Sequence, residues 1–183
     1  MIRWIINTRW LILCIAAVFT NTVSAQDSTN FPTPTGNPNQ LFYLQRTPNA
    51  NTIVYELNYK DGLLDSANPV HAFWIRYTEN AKKTELSYIQ RNFAYGLRTK
   101  LLSPDNYELQ FVSNKNAVLY LRKAKDNKYY VYTSINNKEA ILYRIYLQIA
   151  GGTFWSPSVD YAELKGFDPD NGLVVIERIK IKK

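Results

Sequence analysis

Glu139-Ala140-Ile141-Leu142-Tyr143-Arg144-Ile145-Tyr146-Leu147-Gln148-Ile149 decides the fold class. In an extended chain Ile141, Tyr143, Ile145, Leu147 and Ile149 fall on one side, and Leu142, Arg144, Tyr146 and Gln148 on the other. Successive side chains of a strand point to opposite faces, so this two-residue alternation marks a half-buried strand. One apolar and one mixed face indicates an antiparallel sheet with a solvated side, because a strand covered on both sides of a parallel sheet reads as a continuous apolar run. The same period recurs upstream, where Ile53, Tyr55, Leu57 and Tyr59 oppose Thr52, Val54, Glu56 and Asn58.

Turn residues supply the connections. Thr47-Pro48-Asn49-Ala50-Asn51 closes a hairpin between strands near 41–46 and 52–59, and Lys60-Asp61-Gly62 starts the loop beyond it. Ser113-Asn114-Lys115-Asn116, Lys125-Asp126-Asn127-Lys128 and Asn136-Asn137-Lys138 separate strands near 106–112, 117–124, 129–135 and 139–149. Links this short join sequential antiparallel neighbours, so this stretch reads as a meander. Strands near 158–165 and 173–181, joined through Phe167-Asp168-Pro169-Asp170-Asn171-Gly172, and others near 70–77 and 97–102 bring the total to about ten. The expected fold class is all-β and mainly antiparallel, a β-sandwich or partly closed barrel with one short helix. That helix is predicted over 85–95, with Thr84 as N-cap, Glu85 in the first turn, Leu86, Ile89 and Phe93 at helical spacing, and Gly96 as the stop. Its apolar stripe is expected to cover an end or edge of the β structure.

The N-terminus reads as an export signal. Arg3 and Arg9 flank a Trp- and Ile-rich start, the apolar run from Trp10 to Phe19 follows, and Val23-Ser24-Ala25 offers a small-residue cleavage site. The run is too short for a transmembrane helix, which needs about 20 apolar residues. Cleavage after Ala25 places the mature chain in the periplasm or outside the cell, with no membrane span. Cys14 leaves with the signal, so the hydrophobic core stabilises the mature chain without disulfides. Loss of Arg3 and Arg9 with no acid takes the formal net charge from +7 to +5. A surplus of that size favours an anionic glycan, lipid or envelope-protein partner. The basic residues are scattered and form no nucleic-acid motif, and Lys180-Ile181-Lys182-Lys183 reads as a solvated strand end. Residues 26–40, with Pro32, Pro34, Gly36 and Pro38, read as an extended polar leader, and 41–183 as a single β domain.

Several separated blocks resemble one bacterial family. Phe42-Tyr43-Leu44-Gln45-Arg46, Asn51 to Asn58, Pro69-Val70 before Trp74-Ile75, Ile89-Gln90-Arg91 and Phe93-Ala94-Tyr95-Gly96 are similar to the domain of unknown function 4833. The resemblance covers most of the mature chain and implies one coherent domain, with no particular chemistry.

Catalytic signatures are sparse. His71 is the only histidine, no mature cysteine remains for a Cys-His nucleophile, and no G-x-S-x-G elbow is present. No cofactor motif appears, and one histidine without cysteine leaves zinc poorly supplied with ligands. Asp168-Pro169-Asp170-Asn171-Gly172 has calcium-loop residue types at the wrong spacing, because Leu173 stands where the loop glycine belongs and Ile179 where its glutamate belongs. It reads as a turn. Glu177 interrupts the apolar set Leu173, Val175, Ile179 and Ile181, so a regular strand turns it inward toward an arginine, supplied by Arg46, Arg76 or Arg91; a β-bulge near Ile176 turns it outward. Phe73-Trp74, Tyr129-Tyr130, Tyr132 and Phe154-Trp155 are concentrated in strands or at their ends. Adjacent rings point to opposite faces, so a candidate ligand surface is Trp74 with Arg76, rimmed by Gln90, Arg91 and Tyr95. The leading expectation is an exported binding or structural module of the cell envelope. The alternatives are an envelope polysaccharide hydrolase using paired carboxylates, Glu177 among them, and a lipophile-binding barrel.

Overall fold

A computed structural model describes residues 31–153 and 157–181. The expected signal segment and cleavage site, Phe154-Trp155 and Lys182-Lys183 lie outside the described residues. The strands are β1 (Gln40–Arg46), β2 (Asn49–Leu57), β3 (Tyr59–Lys60), β4 (Leu63–Leu64), β5 (Val70–Arg76), β6 (Lys82–Glu85), β7 (Leu97–Ser103), β8 (Asn106–Phe111), β9 (Asn114–Lys123), β10 (Tyr129–Ile135), β11 (Lys138–Gly152), β12 (Pro157–Phe167) and β13 (Val174–Lys180). The ten strands expected from alternation are all present, and β8 to β11 form the anticipated meander. Asn136 and Asn137 both take positive φ between β10 and β11, as do Asp61 and Gly62 between β3 and β4. These are two-residue turns of the kind whose twist matches paired strands.

One sheet holds eleven of the strands, in the order β6-β5-β2-β1-β11-β10-β9-β8-β7, with β12 on β11 and β13 on β12; β3 and β4 form a separate ribbon. Among the described residues only β1 and β11 pair in parallel. β12 runs along one edge of β11 from Ile141 to Gly152. The opposite edge is therefore shared, with β10 on residues 138–141 and β1 on residues 144–147. Two arms thus spring from one side of a single strand, and the sheet curls until they face each other. Phe111 of β8 meets Phe42 of β1 and Tyr55 of β2 edge-on, with ring centroids 6.4 and 5.9 Å away. Ile53, Leu109, Leu121, Val131 and Leu142 fill the space between the arms with no exposure.

The alternation along β11 does not run straight through. Leu142 pairs with Gly166 and Arg144 with Lys165, leaving Tyr143 as the extra residue of a β-bulge. Leu142 and Ile145 therefore both enter the core, while Tyr143 leaves the face of Ile145 and packs edge-on against Tyr43, 5.3 Å between centroids. Nor is the outer face simply solvated. Tyr43, Val54 and Phe73 form a second buried cluster there, and residues 31–34 lie beside it: the Pro32 carbonyl accepts from Gln45 Nε2 at 2.9 Å, and Pro34 is buried. Burial pushes the Tyr43 phenol up to about 12, despite a hydrogen bond to Thr33.

The helix differs from expectation in start and in pitch. Thr84 and Glu85 belong to β6, which pairs with β5, and Ser87 is the true cap. Gln90 N donates to Ser87 Oγ at 3.3 Å and Ser87 N to Gln90 Oε1 at 3.0 Å, a reciprocal capping box. Gln90–Tyr95 is then π-helical, with wider turns than an α-helix. Leu86, Ile89 and Phe93 consequently do not form one buried stripe: Leu86 is buried, and the other two are exposed.

Candidate functional site

The ring-rich surface expected around Trp74 is built as a plug. Trp74 is only 6% exposed, meets Tyr95 edge-on at 5.3 Å, and donates from Nε1 to Gln90 Oε1 at 3.2 Å. Tyr55 donates its hydroxyl proton to the Tyr95 carbonyl at 2.8 Å, and the Arg46 guanidinium lies 6.0 Å from the Tyr95 ring centre. Trp74, Gln90 and Tyr95 thus come together, closing one end of the core. Arg76 is drawn away to Glu79 at 2.8 Å, and Arg91 to Glu85 at 3.3 Å. Gly96 permits the helix to close so tightly, because a Cβ there would sit 1.9 Å from the Arg91 carbonyl oxygen.

Glu177 is not the inward carboxylate and does not pair with Arg46. It is half-exposed on β13, a strand with a neighbour on one side only, and its Oε2 accepts from Asn136 N at 2.7 Å. The neighbouring Leu173, Ile179 and Ile181 are themselves exposed, so no continuous core face existed for Glu177 to interrupt. The buried carboxylate is Glu163 of β12. Its Oε2 accepts from Arg178 Nη2 at 2.7 Å, and its Oε1 lies 3.9 Å from Arg144 Nη2. Register places Glu163 directly opposite Arg178 on one side and Tyr146 on the other. The loop from Asp168 to Gly172 is a turn whose Asp168 carboxylate accepts from Asp170 N at 2.9 Å, with Gly172 at φ +71°.

His71 sits between two carboxylates, Nδ1 3.0 Å from Glu56 Oε1 and Nε2 3.0 Å from Glu85 Oε2, in a cleft of about 250 Å³ shared with Lys83 and Thr84. Both acceptors are satisfied only by the imidazolium, since the neutral ring has a single N–H. Partial burial opposes that charge, yet the hydrogen bonds and charges of Glu56 and Glu85 outweigh it and raise the His71 pKa above its ordinary 6.5. A group raised on folding stabilises fully below its unfolded pKa, and the gain fades as pH rises through the folded value. The expected result is that His71→Asn lowers the urea midpoint at pH 5.5, and that the gap to wild type narrows by pH 8.5. A gap that widens with pH would contradict the ion-pair assignment.

A larger groove opens at the other end of the arms, where three connections meet. The β3–β4 ribbon brings Tyr59, Leu63 and Leu64, the β7–β8 turn brings Leu101, Pro104 and Asp105, and the β9–β10 hairpin brings Lys123 and Tyr129. The groove is open to solvent and has a volume of about 570 Å³. Leu64 packs on the core, whereas Leu63 and Leu101 are exposed. The polar end is one linked cluster, with Asp105 accepting from the Tyr129 hydroxyl and Lys123 Nζ 3.9 Å from Asp105 Oδ2. Burial and the Asp105 carboxylate raise the Tyr129 pKa far above ordinary, so the phenol keeps its proton. Apolar walls with a few convergent polar groups are what small-molecule sites look like. The chain's only histidine lies in the other cleft. The groove's sequence traces were the Asp61-Gly62 turn and the adjacent apolar pairs Leu63-Leu64 and Leu101-Leu102.

Comparison with curated proteins and with solved structures found no match. A family model described as a domain of unknown function (DUF4833) matches residues 42–178, from the third residue of β1 well into β13. That span takes in both arms, both clefts and the Glu163 cluster, and the chain accordingly belongs to the domain of unknown function 4833 family.

Proposed function

We propose that this protein is an exported binding module of the cell envelope that holds a small amphiphile in the groove between Tyr59, Leu63, Leu101 and Tyr129. The groove is the observation that carries this reading: its volume is in the range of ligand pockets, and its exposed leucines and tyrosine lie beside a charged, hydrogen-bonded end. An apolar ligand body rests on Leu63, Leu64, Leu101 and the Tyr59 ring, and its polar end meets Asp105 and Lys123. Export is supported by the basic, apolar and small-residue order of residues 1–25.

Dodecyl maltoside below its micelle concentration and dodecanoate serve as probes in an NMR titration of backbone amides. Saturable shifts confined to residues 59–66, 101–107 and 123–129 are expected. Leu101→Asp should weaken binding by roughly tenfold or more, because a charge replaces a side chain that covers the apolar ligand body. Leu101 is exposed, so the variant is expected to fold. Binding untouched by Leu101→Asp, or shifts centred elsewhere, would remove the groove from consideration.

A further inference from the structure

The helical turn at the start of β7 carries a surface that the groove reading does not use. Tyr88, Ile89 and Phe93 stand 77%, 43% and 62% exposed on it. Their exposure is not fraying, because the inner side of the turn is fixed at several points. Ser87 and Gln90 cap it, Gln90 holds Trp74, and Tyr55 holds the Tyr95 carbonyl. The Ala94 carbonyl accepts from Ser113 Oγ at 2.6 Å, which ties the β8–β9 turn to the same place. Three large apolar side chains exposed within six residues of one anchored turn are the kind of feature that marks a contact surface.

Cations outnumber carboxylates in the sequence around the patch. Arg91 lies on the turn itself, Lys82 and Lys83 on β6 just before it, Arg98 on β7 just after it, and Lys115 at the start of β9, just past Ser113. Glu85 is the one carboxylate between residues 80 and 100, and it is already engaged by His71 and Arg91. An apolar tip with a tyrosine hydroxyl, flanked along the chain by more cations than carboxylates, is complementary to a surface with negative headgroups above an apolar layer. We propose that this turn docks the protein onto anionic lipid bilayers, Tyr88, Ile89 and Phe93 entering the boundary between headgroups and acyl chains and the surrounding Lys and Arg residues meeting the phosphates. The inference is independent of the groove, which lies at the far end of β7.

The test is co-sedimentation of the full chain with vesicles of phosphatidylglycerol and phosphatidylcholine in equal parts, and with phosphatidylcholine alone. Every variant carries the same N-terminal segment, so a difference between them reads the turn. The double variant Tyr88→Ser, Phe93→Ser is expected to partition at least tenfold more weakly than wild type, with its thermal midpoint nearly unchanged. Wild-type binding should fall severalfold in high salt or without phosphatidylglycerol. Equal partition of wild type and the double variant overturns the proposal, as does binding indifferent to phosphatidylglycerol. A lipid-free wild-type dimer that the double variant dissociates also overturns it, because the patch is then covered by a second copy.

Discussion

Glu163→Gln is expected to lower the unfolding free energy by about 3 kcal/mol, toward the lower end of the roughly 3–5 kcal/mol that breaking a buried ion pair costs. The substitution keeps the side-chain volume and removes only the charge. That charge is shared by Arg144, itself buried, and by Arg178, which reaches water and so loses less. Each guanidinium also lies over a ring, Arg178 4.3 Å from the centre of Tyr161 and Arg144 5.2 Å from Tyr146, so neither can swing out without uncovering aromatic surface. Urea unfolding of the two proteins measures the difference. A loss below about 1 kcal/mol, the scale of an exposed pair, would mean that Arg144 is solvated after the change.

Trp74→Ala is expected to cost about 3–5 kcal/mol, the range for deleting a buried aromatic side chain. The indole fills the space between Tyr95 and the core, and its N–H is the partner of Gln90, which also caps the helix. Gln90→Ala should cost less, about 1 kcal/mol per hydrogen bond lost. Chemical denaturation of both variants checks the order. A nearly silent Trp74→Ala would return that residue to the list of ligand contacts.

The strands were legible because apolar residues alternate along most of their length and their turns are built from Asn, Asp, Gly and Lys. What the sequence hid were choices made by distant partners. Thr84-Glu85 and Ser87-x-x-Gln90 are both plausible helix starts; β6 pairing with β5 settles the matter in favour of the second. Leu142 and Tyr143 are both large and apolar, so a bulge between them leaves no mark on the pattern. Glu177 drew attention because its own strand alternates, but β13 is an edge, and the carboxylate that is buried, Glu163, is identified only by its register with Arg178 and Tyr146. Trp74, Arg76, Gln90, Arg91 and Tyr95 were grouped as a ligand surface from their aromatic and polar character; the fold brings Trp74, Gln90 and Tyr95 into contact and covers the indole, which the sequence alone does not reveal. The groove draws on three connections that approach one another only once the sheet has curled.

The forked edge of β11 makes the domain indivisible. Tyr43 finds its neighbour at Arg144, about a hundred positions further along, and the residues just before that junction hold β10. A fragment stopping anywhere short of residue 138 would strip β1 of its parallel neighbour and leave a bare hydrogen-bonding margin beside Phe42 and Leu44, ready to capture another polypeptide. Shuffling or trimming at the visible hairpins is therefore the wrong way to dissect this protein; point changes that spare residues 138–147 keep both halves on their common hinge-post.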